Sequence, residues 1–500
     1  MPHAEGNGTG PSSPLLEPRQ MMRRLWLLPA LVGTLALVGL AQSRPKGEAM
    51  TQQEGVSLRS TDASVELMTL DPGHFHAALI QQEMYPGVAD VVHVYAPLGP
   101  DLVGHLNRIA QFNSREENPT RWQLEIHTTP EPLERMLDER PGNVVVLSGR
   151  NRGKIDRILA SAKAGLHVLA DKPWIISASD FSKLEASLDA AEENDVVAYD
   201  VMTERYEITT IVQRELVQDE AVIGEVVAGT VAEPAVHLES VHHLMKTVAG
   251  VPNLRPAWFF DTKQQGEGLS DVGTHLVDLV PWMLFPEQGI EYRKDIQLDS
   301  AKRWPTTISL ADFRRVTGED DFPSFLAQDI SEGELQYFSN TEVSYVLRGI
   351  HVGVKVAWNF EAPPGAGDTH LAGVRGSKAH IEVRQGAEEK YRPELYVLPV
   401  NDAERGAIVS AVKNRIAQLQ SRYPGVAVEE MDDRIHISVP DKYRTGHESH
   451  FAEVTRQFLE YVRAPETVPA WEKANMLAKY YVTTEGVELS RRSNEPSAAR

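Results

Sequence analysis

Residues 143–174 read NVVVLSGRNRGKIDRILASAKAGLHVLADKPW and contain two short apolar runs on either side of a helical pattern. The first run, 144–147, is apolar without alternation, as a strand covered on both faces requires. An apolar stripe at helical spacing follows and ends at a glycine that favours a helix end: Ile155, Ile158, Leu159, Ala162 and Gly165. The second run, 166–170, has the length of another strand. This order predicts a β-α-β unit with parallel strands.

The same alternation of apolar runs and helical patterns extends along the first part of the chain. Six segments have the composition and length of strands: 65–70, 91–95, 122–127, 143–147, 166–170 and 196–199. We therefore predict an α/β fold in which residues 62–203 form a Rossmann-like, doubly wound parallel sheet. In such a fold the ligand crevice lies at the carboxyl ends of the strands.

Residues 204–492 have a different pattern, with longer stretches that alternate between apolar and polar residues. This predicts an α+β domain with a large open, mainly antiparallel sheet, covered on one side. The candidate strands are 223–231, 343–358 and 377–384. The candidate helices are 268–284 and 448–463. Segments near 286–340 and 402–446 are interpreted as insertions, the second with an amphipathic helix near 403–420. An open sheet face favours homo-oligomerisation through this domain.

The composition argues against several classes of partner and site. Of 500 residues, 42% are hydrophobic and 24% charged, as in a well-cored soluble protein of two or three domains. The 71 acidic against 50 basic residues give a net charge of -21, which argues against a nucleic-acid partner. The chain has no cysteine, which excludes disulfides, thiolate zinc sites and thiol nucleophiles.

Residues 1–61 form a leader that we do not expect to belong to the fold. Arg23 and Arg24 precede the apolar run LWLLPALVGTLALVGLA at 25–41, and a polar segment follows. This order is typical of an export signal, which predicts a periplasmic location. The alternative is an uncleaved membrane anchor at 25–41. Both interpretations place the folded part outside the cytoplasm.

The segment ADKPW, 170–174, places Lys172 at the carboxyl end of a predicted strand. Burial in a crevice would lower the pKa of this amine toward a useful range, and Pro173 stiffens the turn and allows a cis bond. The alternative is an ordinary surface Lys-Pro turn.

The segment GEGLSDVGTHLVDLVPWML, 266–284, predicts a helix with one polar stripe. Asp271 and His275 are four residues apart and share a face, with Asp278 one turn on. A carboxylate beside an imidazole raises its basicity, which suits a general base for a hydroxyl proton. The alternative is a solvated stripe. A metal site completed by His237, His242 and His243 matches no strong ligand spacing, so we predict no metal.

Several motifs, taken in order, resemble the Gfo/Idh/MocA oxidoreductases, the family of glucose-fructose oxidoreductase and inositol dehydrogenase. The resemblance covers most of residues 65–490 and includes NVVVLSGRN, AGLHVLADKP, IGEV, the helix from Asp271 to Asp278, VRGSKAHIEV, HFAEVTRQFLEYV and Trp471. It implies a dehydrogenase that uses NAD or NADP.

The resemblance also implies roles for individual residues. Lys172 takes the place of the family's Glu-Lys-Pro lysine, with Asp171 as a conservative change, and would contact the nicotinamide ribose and the substrate hydroxyl. His275 is similar to the proton acceptor, with Asp271 as its partner. The remaining cofactor contacts implied here are Ser148, Asn151, Asp171 and Pro173.

The loop LMTLDPGHFHAALI, 67–80, departs from the family pattern because it keeps Gly73 alone of the usual glycines. We interpret it as a rewritten cofactor loop, in which backbone N–H groups at the start of a helix meet a phosphate. His74 or His76 would add a further donor, and Phe75 between them is also a candidate cofactor contact. The second strand ends in YAPLGPD, with Tyr95 but without the acidic residue that binds the adenosine ribose, which leaves NAD against NADP open.

Two groups of polar and aromatic residues are candidate substrate contacts: Glu204, Arg205 and Tyr206, and His242, His243 and Trp258. The tryptophan is suited to stack on a sugar ring and the histidines to bind its hydroxyls.

Three functions are consistent with these residues. The first is an NAD(P)-dependent oxidoreductase acting on a hydroxyl group of a sugar, glycoside or cyclitol. The second is a glycoside-cleaving enzyme that oxidises a ring carbon transiently and recycles its cofactor. The third is a non-catalytic sugar-binding protein on the same fold.

Overall fold

The computed structural model describes residues 65–248, 251, 252 and 254–494. The predicted leader, including the apolar run 25–41, lies outside these residues. Within them, the structure contains no helix that is both long and apolar enough to cross a membrane.

The first part is the predicted parallel sheet, with six strands in the order β3-β2-β1-β4-β5-β6. The strands are β1 Val65–Leu70, β2 Val88–Ala96, β3 Gln123–Thr128, β4 Val144–Leu147, β5 His167–Ala170 and β6 Ala198–Asp200. β1 pairs in parallel with both β2 and β4, so the chain reverses its winding there. This reversal opens a crevice beyond the carboxyl ends of the central strands. All six predicted strands and their doubly wound order are confirmed.

Five helices connect these strands: α1 His76–Leu79, α2 Pro100–Ser114, α3 Pro132–Glu139, α4 Lys154–Lys163 and α5 Phe181–Glu193. The buried side of α4 contains the predicted residues Ile155, Ile158 and Ala162. By contrast, α1 is a single turn of four residues. The dipole of so short a helix offers little to a phosphate, so the predicted helix-terminus site is weaker than expected.

The second part is a ten-stranded, mainly antiparallel sheet, as predicted. Its strands are β7 Val236–Met245, β10 Ile296–Ile308, β11 Ile330–Ser331, β12 Glu334–Leu347, β13 Ile350–Glu361, β14 Thr369–Arg375, β15 Ala379–Gln385, β16 Glu394–Pro399, β17 Ala427–Glu430 and β18 Ile435–Ser438. A separate hairpin consists of β8 Thr247–Val248 and β9 Val251–Pro252. β7 and β13 form the parallel pair in its centre.

The helices of this part are α6 Ile208–Val217, α7 Thr262–Gln265, α8 Gly268–Asp271, α9 Gly273–Leu284, α10 Tyr292–Asp295, α11 Leu310–Thr317, α12 Arg405–Leu419, α13 His447–Arg463 and α14 Glu472–Asn494. α6, α9 and α14 pack together with one face of the sheet, and their apolar residues form the largest core cluster. The predicted helix 268–284 is interrupted at Val272, between α8 and α9.

The predicted strand 223–231 is wrong. It makes isolated bridges from Val226 and Gly229, whereas β7 supplies the central strand. Gly224 and Gly229 have φ of 74° and 69°, which breaks the extended backbone that a strand needs. The segments interpreted as insertions contribute edge strands, because β10 lies at one end of the sheet and β17 at the other. The amphipathic helix predicted near 403–420 is α12.

Candidate functional site

The turn after β5 lies at the carboxyl edge of the parallel sheet and carries Asp171, Lys172 and Pro173. The Lys172–Pro173 peptide bond is cis, as the sequence allowed. Trp174, directly after it, is fully buried, and its amide N–H donates to the Tyr480 hydroxyl at 3.0 Å. A residue of the last helix therefore fixes the end of this turn.

Lys154, the first residue of α4, binds the backbone of the same turn. This role was not predicted from the sequence. Its Nζ donates to Asn151 Oδ1 at 2.6 Å and to the carbonyl oxygens of Asp171 at 2.8 Å and Pro173 at 3.2 Å. Burial, partly offset by the charges of Asp171 and Asp200, lowers the pKa of Lys154 to about 8. A signal was present, because Lys154 precedes Ile158 by four residues and so lies on the apolar stripe of its helix.

Lys172 and Asp271 meet across the cleft, although 99 residues separate them in sequence. The distance from Lys172 Nζ to Asp271 Oδ1 is 2.7 Å, and their side chains are 9% and 11% exposed. Burial acts to lower the pKa of Lys172, but the carboxylates of Asp271 and Asp171 outweigh it and raise that pKa above its usual value. The predicted lowered pKa is therefore wrong. Lys172 is a cation at neutral pH and donates hydrogen bonds.

His275 lies one turn further along, in α9, and is 8% exposed. Burial and the neighbouring charge of Lys172 lower the pKa of His275 to about 3. Among the described residues, its Nδ1 has no hydrogen-bond partner. At neutral pH the imidazole is uncharged and can accept a proton, but the raised basicity predicted for it is wrong, because its pKa is lowered.

The predicted partnership of Asp271 with His275 is wrong, because Asp271 is occupied by Lys172. The carboxylates whose charges act on His275 are those of Glu204 and, more weakly, Asp278. Burial acts to raise the pKa of Glu204, but His447, whose Nδ1 lies 3.8 Å from Glu204 Oε1, and the charges of His275 and His370 lower it well below its usual value. Glu204 was predicted, whereas His447 at the start of α13 and His370 in β14 were missed.

Three residues that were predicted to contact the cofactor are in contact with Asp171. Ser148 Oγ donates to Asp171 Oδ2 at 2.9 Å, and the same oxygen lies 2.9 Å from His76 Nδ1 and 3.4 Å from His74 Nδ1. These side chains therefore bind a carboxylate of the protein. Because Nδ1 of each ring faces Asp171, the donor expected for a phosphate from His74 or His76 would be Nε2, and this stays a prediction.

Backbone hydrogen bonds also fix the loop after β1. The Gly73 amide donates to Asp71 O at 2.8 Å, and the His74 amide donates to Ser148 O at 3.1 Å. An ideal Cβ on Gly73 would lie 3.4 Å from Gly149 Cα. The two glycines therefore allow the loop after β1 (the first loop) and the loop after β4 (the fourth loop) to approach closely. Phe75 packs against the core beside β1 rather than into the crevice.

Arg150 and Trp258 lie next to this loop. The Arg150 guanidinium is 4.9 Å from the centre of the Trp258 ring and donates to Asp101 Oδ2 at 2.8 Å. Trp258 is only 5% exposed, and a Cβ on Gly73 would be 3.6 Å from its Cζ2. The predicted stacking of Trp258 on a sugar ring is wrong, since the indole ring is covered by the loop of Gly73 and by Arg150.

Two more predicted cofactor contacts have structural roles. Tyr95 is fully buried, and its hydroxyl donates to Glu139 Oε2 at 2.8 Å, so it offers no surface to a nucleotide. Asn151 is also buried, and its Nδ2 donates to Gln265 O at 2.7 Å. Asn151 thereby connects the fourth loop to α7.

Arg205 and Tyr206 do not line the cleft as predicted. Arg205 is buried and binds Asp278 through two hydrogen bonds of 2.6 and 2.7 Å, and Glu472 at 2.8 Å. Tyr206 packs against the apolar cluster that includes Tyr199. Arg205 is therefore a structural cation.

A buried chain of charges links the two parts of the fold behind the cleft. Lys479 is fully buried, with its Nζ 3.1 Å from Asp200 Oδ2 and 3.0 Å from Asp278 Oδ1. The Tyr480 hydroxyl donates to Asp200 Oδ2 at 2.6 Å. Asp200 ends β6 and Asp278 lies in α9, so this network sets the parallel sheet against the helix of His275.

The predicted substrate residues His242 and His243 belong to a polar group around Asp368. His242 Nδ1 and His243 Nδ1 lie 3.2 and 2.9 Å from the two oxygens of Asp368, which also binds Lys246. His242 rests 4.9 Å from the Trp358 ring. His237 faces Glu239 instead, so the described imidazoles of His237, His242, His243 and His275 do not converge on one point.

Comparisons with known proteins agree with this architecture. Residues 212–491 match the family described as "Putative oxidoreductase C terminal domain". A structure described as a "putative oxidoreductase from Parabacteroides merdae ATCC 43184" is 45% identical, with a TM-score of 0.84, over 87% of this chain and 99% of that one. No curated protein matches the chain.

Two more distant structures share the fold. Levoglucosan dehydrogenase in complex with NADH and levoglucosan is 14% identical over 86% of this chain and 97% of that one, with a TM-score of 0.53. An oxidoreductase structure from Erwinia carotovora atroseptica, described as putative, is 12% identical over 85% and 98% of the chains, with a TM-score of 0.55.

Proposed function

Because the chain belongs to the Gfo/Idh/MocA-type oxidoreductases, we propose that it transfers a hydride between NAD or NADP and a hydroxyl group of a sugar, glycoside or cyclitol. The observation that carries this proposal is the meeting of Lys172 with Asp271 at 2.7 Å, one helical turn from His275. A cation and a neutral imidazole are close enough for the charge of Lys172 to act on His275, at the carboxyl edge of a Rossmann sheet.

The residues at this edge fit a dinucleotide. Gly73 and Gly149 pack the two loops closely together, and the Arg150 guanidinium beside them, whose side chain is 37% exposed, suits a pyrophosphate. Lys172 lies at the other end of the edge, where its ammonium would face the nicotinamide ribose and the substrate. When bound, the nicotinamide supplies the acceptor or donor of the hydride.

The protein's own part in the reaction follows from the charges. His275 takes the proton of the substrate hydroxyl at a ring nitrogen, which is free because the imidazole is uncharged at neutral pH. Lys172 donates a hydrogen bond to the same oxygen and stabilises the negative charge that develops there. Asp271 holds the Lys172 ammonium in place, and Lys154 fixes the turn that carries it.

A group of partly exposed polar side chains supports a polyhydroxy substrate. Glu204, His242 and Asp368 have side chains 34%, 24% and 23% exposed, and they provide both donors and acceptors. Such a set matches vicinal hydroxyl groups better than an apolar alcohol. The NADH and levoglucosan found in a structure of the same fold point in the same direction.

The test begins with native mass spectrometry of the purified protein, to detect co-purifying NAD or NADP. Oxidation of a panel of sugars, glycosides and cyclitols is then followed by the absorbance of the reduced nicotinamide. His275→Ala should lower the turnover at least ~100-fold while leaving nucleotide binding intact, and Lys172→Ala should lower the turnover to the same extent. Lys413→Met is the matched control, since that side chain is 52% exposed and pairs with Glu430 far from the cleft.

Other results would assign a different function. Release of sugar from a glycoside without net reduced nucleotide would indicate transient oxidation and cleavage. Saccharide binding without turnover, and without any nucleotide, would indicate a binding protein. Full activity in Lys172→Ala would place the chemistry elsewhere.

We also propose that the protein works outside the cytoplasm, on the evidence of the leader, and that it self-associates through the large sheet. Amino-terminal sequencing of the native protein and its mass in solution test these two points.

A further inference from the structure

His74, His76 and Asp171 form a compact group where the first loop meets the turn after β5. Each offers one ligand atom, and these three atoms lie within 4.8 Å of one another. His76 and Asp171 are buried, and 95 residues separate them in sequence. The group is therefore made by the tertiary fold.

The spacing of the ligand atoms suits a small divalent metal ion. Metal–ligand bonds of about 2.0–2.2 Å in a tetrahedral site place neighbouring ligand atoms roughly 3.3–3.6 Å apart. The Nδ1 atoms of His74 and His76 lie 3.4 and 2.9 Å from Asp171 Oδ2. Small side-chain movements would complete the geometry.

The charges of the group also favour a cation. Asp171 supplies a carboxylate between the two imidazoles, with its Oδ2 next to both Nδ1 atoms. Within the described part of the chain, Asp171 has no lysine or arginine in ion-pair contact, because Lys172 binds Asp271 and Lys154 binds the Asp171 carbonyl. A buried carboxylate between two imidazoles retains a negative charge.

Ser148 completes the arrangement, since its hydroxyl donates to Asp171 Oδ2 at 2.9 Å. Hydrogen bonds of this kind orient carboxylate ligands in metal sites. Two atoms of the group are unsatisfied, since His74 Nδ1 and Asp171 Oδ1 are buried without a hydrogen-bond partner among the described residues.

We propose that His74 Nδ1, His76 Nδ1 and the Asp171 carboxylate bind one first-row divalent metal ion, of which Zn²⁺ is the best match to two nitrogen ligands and one oxygen ligand. The ion joins the first loop to the turn after β5. It thereby fixes a loop that lacks the usual glycine-rich turn. Each histidine coordinates through Nδ1 and carries its proton on Nε2.

The experiment uses the full-length protein, freed of metal by a chelator and titrated with Co²⁺ alone and with Zn²⁺ alone. We expect one equivalent to bind, with the visible absorption of a low-coordinate Co²⁺ site and a higher thermal midpoint with Zn²⁺. His76→Ala and Asp171→Asn should abolish that spectrum. Ser148→Ala, which spares the ligands, should weaken binding about 10-fold or more.

The matched control is His127→Ala, because His93, Glu125 and His127 form a second group able to hold a metal. This variant should keep the spectrum and the stoichiometry. Near-ultraviolet circular dichroism of each variant establishes that it is folded. Should His76→Ala not fold, Ser148→Ala and His127→Ala still separate the two sites.

Absence of binding to the folded native protein would overturn the proposal, as would binding that survives both His76→Ala and Asp171→Asn. Loss of the spectrum in His127→Ala alone would move the site to the second group. Nucleotide binding is measured on the same samples, so failure of the metal site and failure of the oxidoreductase proposal give separate results.

Discussion

Replacing His275 by asparagine should make the fold less sensitive to acid. In the folded protein, burial and the charge of Lys172 lower the pKa of His275 to about 3, against 6.5 for an unperturbed imidazole. The unfolded chain therefore binds a proton at this residue below pH 6.5, whereas the folded chain does so only near pH 3. Stability is present above pH 6.5 and is lost as the pH falls toward 3.

The size of the effect follows from these two pKa values. Between pH 7.5 and pH 5, protonation of the unfolded state lowers the free energy of unfolding by about 2 kcal/mol for this residue alone. The side chain of asparagine does not titrate, so the His275→Asn variant lacks this contribution. Its own loss of packing is the same at both pH values and cancels in the difference.

The assay is urea unfolding at pH 7.5 and pH 5, followed by the fluorescence of the eight tryptophans. His105→Asn is the comparison, because burial and the charge of Arg108 lower the pKa of His105, in α2, to about 4. Both variants should reduce the pH dependence by about 2 kcal/mol.

A His275→Asn variant with the full pH dependence of the native chain, alongside a flattened His105→Asn variant, would refute the reasoning. It would mean that His275 is charged or solvated in the folded protein. The imidazole would then not be an uncharged proton acceptor at neutral pH, and the proposed role of His275 would fail.

Three further outcomes are expected. Lys479→Met should lower the free energy of unfolding by about 3–5 kcal/mol, measured by denaturant, because it leaves two buried carboxylates without that cation; a change below about 1 kcal/mol would contradict this. The pKa of Lys154 is about 8 in the folded protein and 10.5 in the unfolded chain, so the unfolded chain binds the extra proton and the free energy of unfolding rises between pH 7.5 and 10. Lys154→Met should remove about 2 kcal/mol of this rise, measured by denaturant at both pH values. An unchanged rise would argue against a buried amine. Tyr95→Phe should leave nucleotide affinity unchanged in equilibrium titrations, because its hydroxyl serves Glu139; a tenfold weaker affinity would restore Tyr95 to the cofactor site.

The sequence by itself determined the elements and their order. Six strand patterns, the helix stripe from Ile155 to Ala162 and the polar residues Asp271 and His275 were all readable, because periodicity depends on residues a few positions apart. The position of Lys172 at a strand end also followed from this local pattern. The loss of a strand at 223–231 shows the limit, since positive φ at two glycines overrode an alternating pattern.

The tertiary structure alone decided which polar groups pair and how they are charged. Asp271 binds Lys172 from 99 residues away rather than His275 from one turn away, and Arg205 is neutralised by Asp278 instead of reaching a substrate. The pKa of Lys172 is raised rather than lowered for the same reason. Each of these results is a balance between burial and the charges that packing brings near, and no local spacing contains that information.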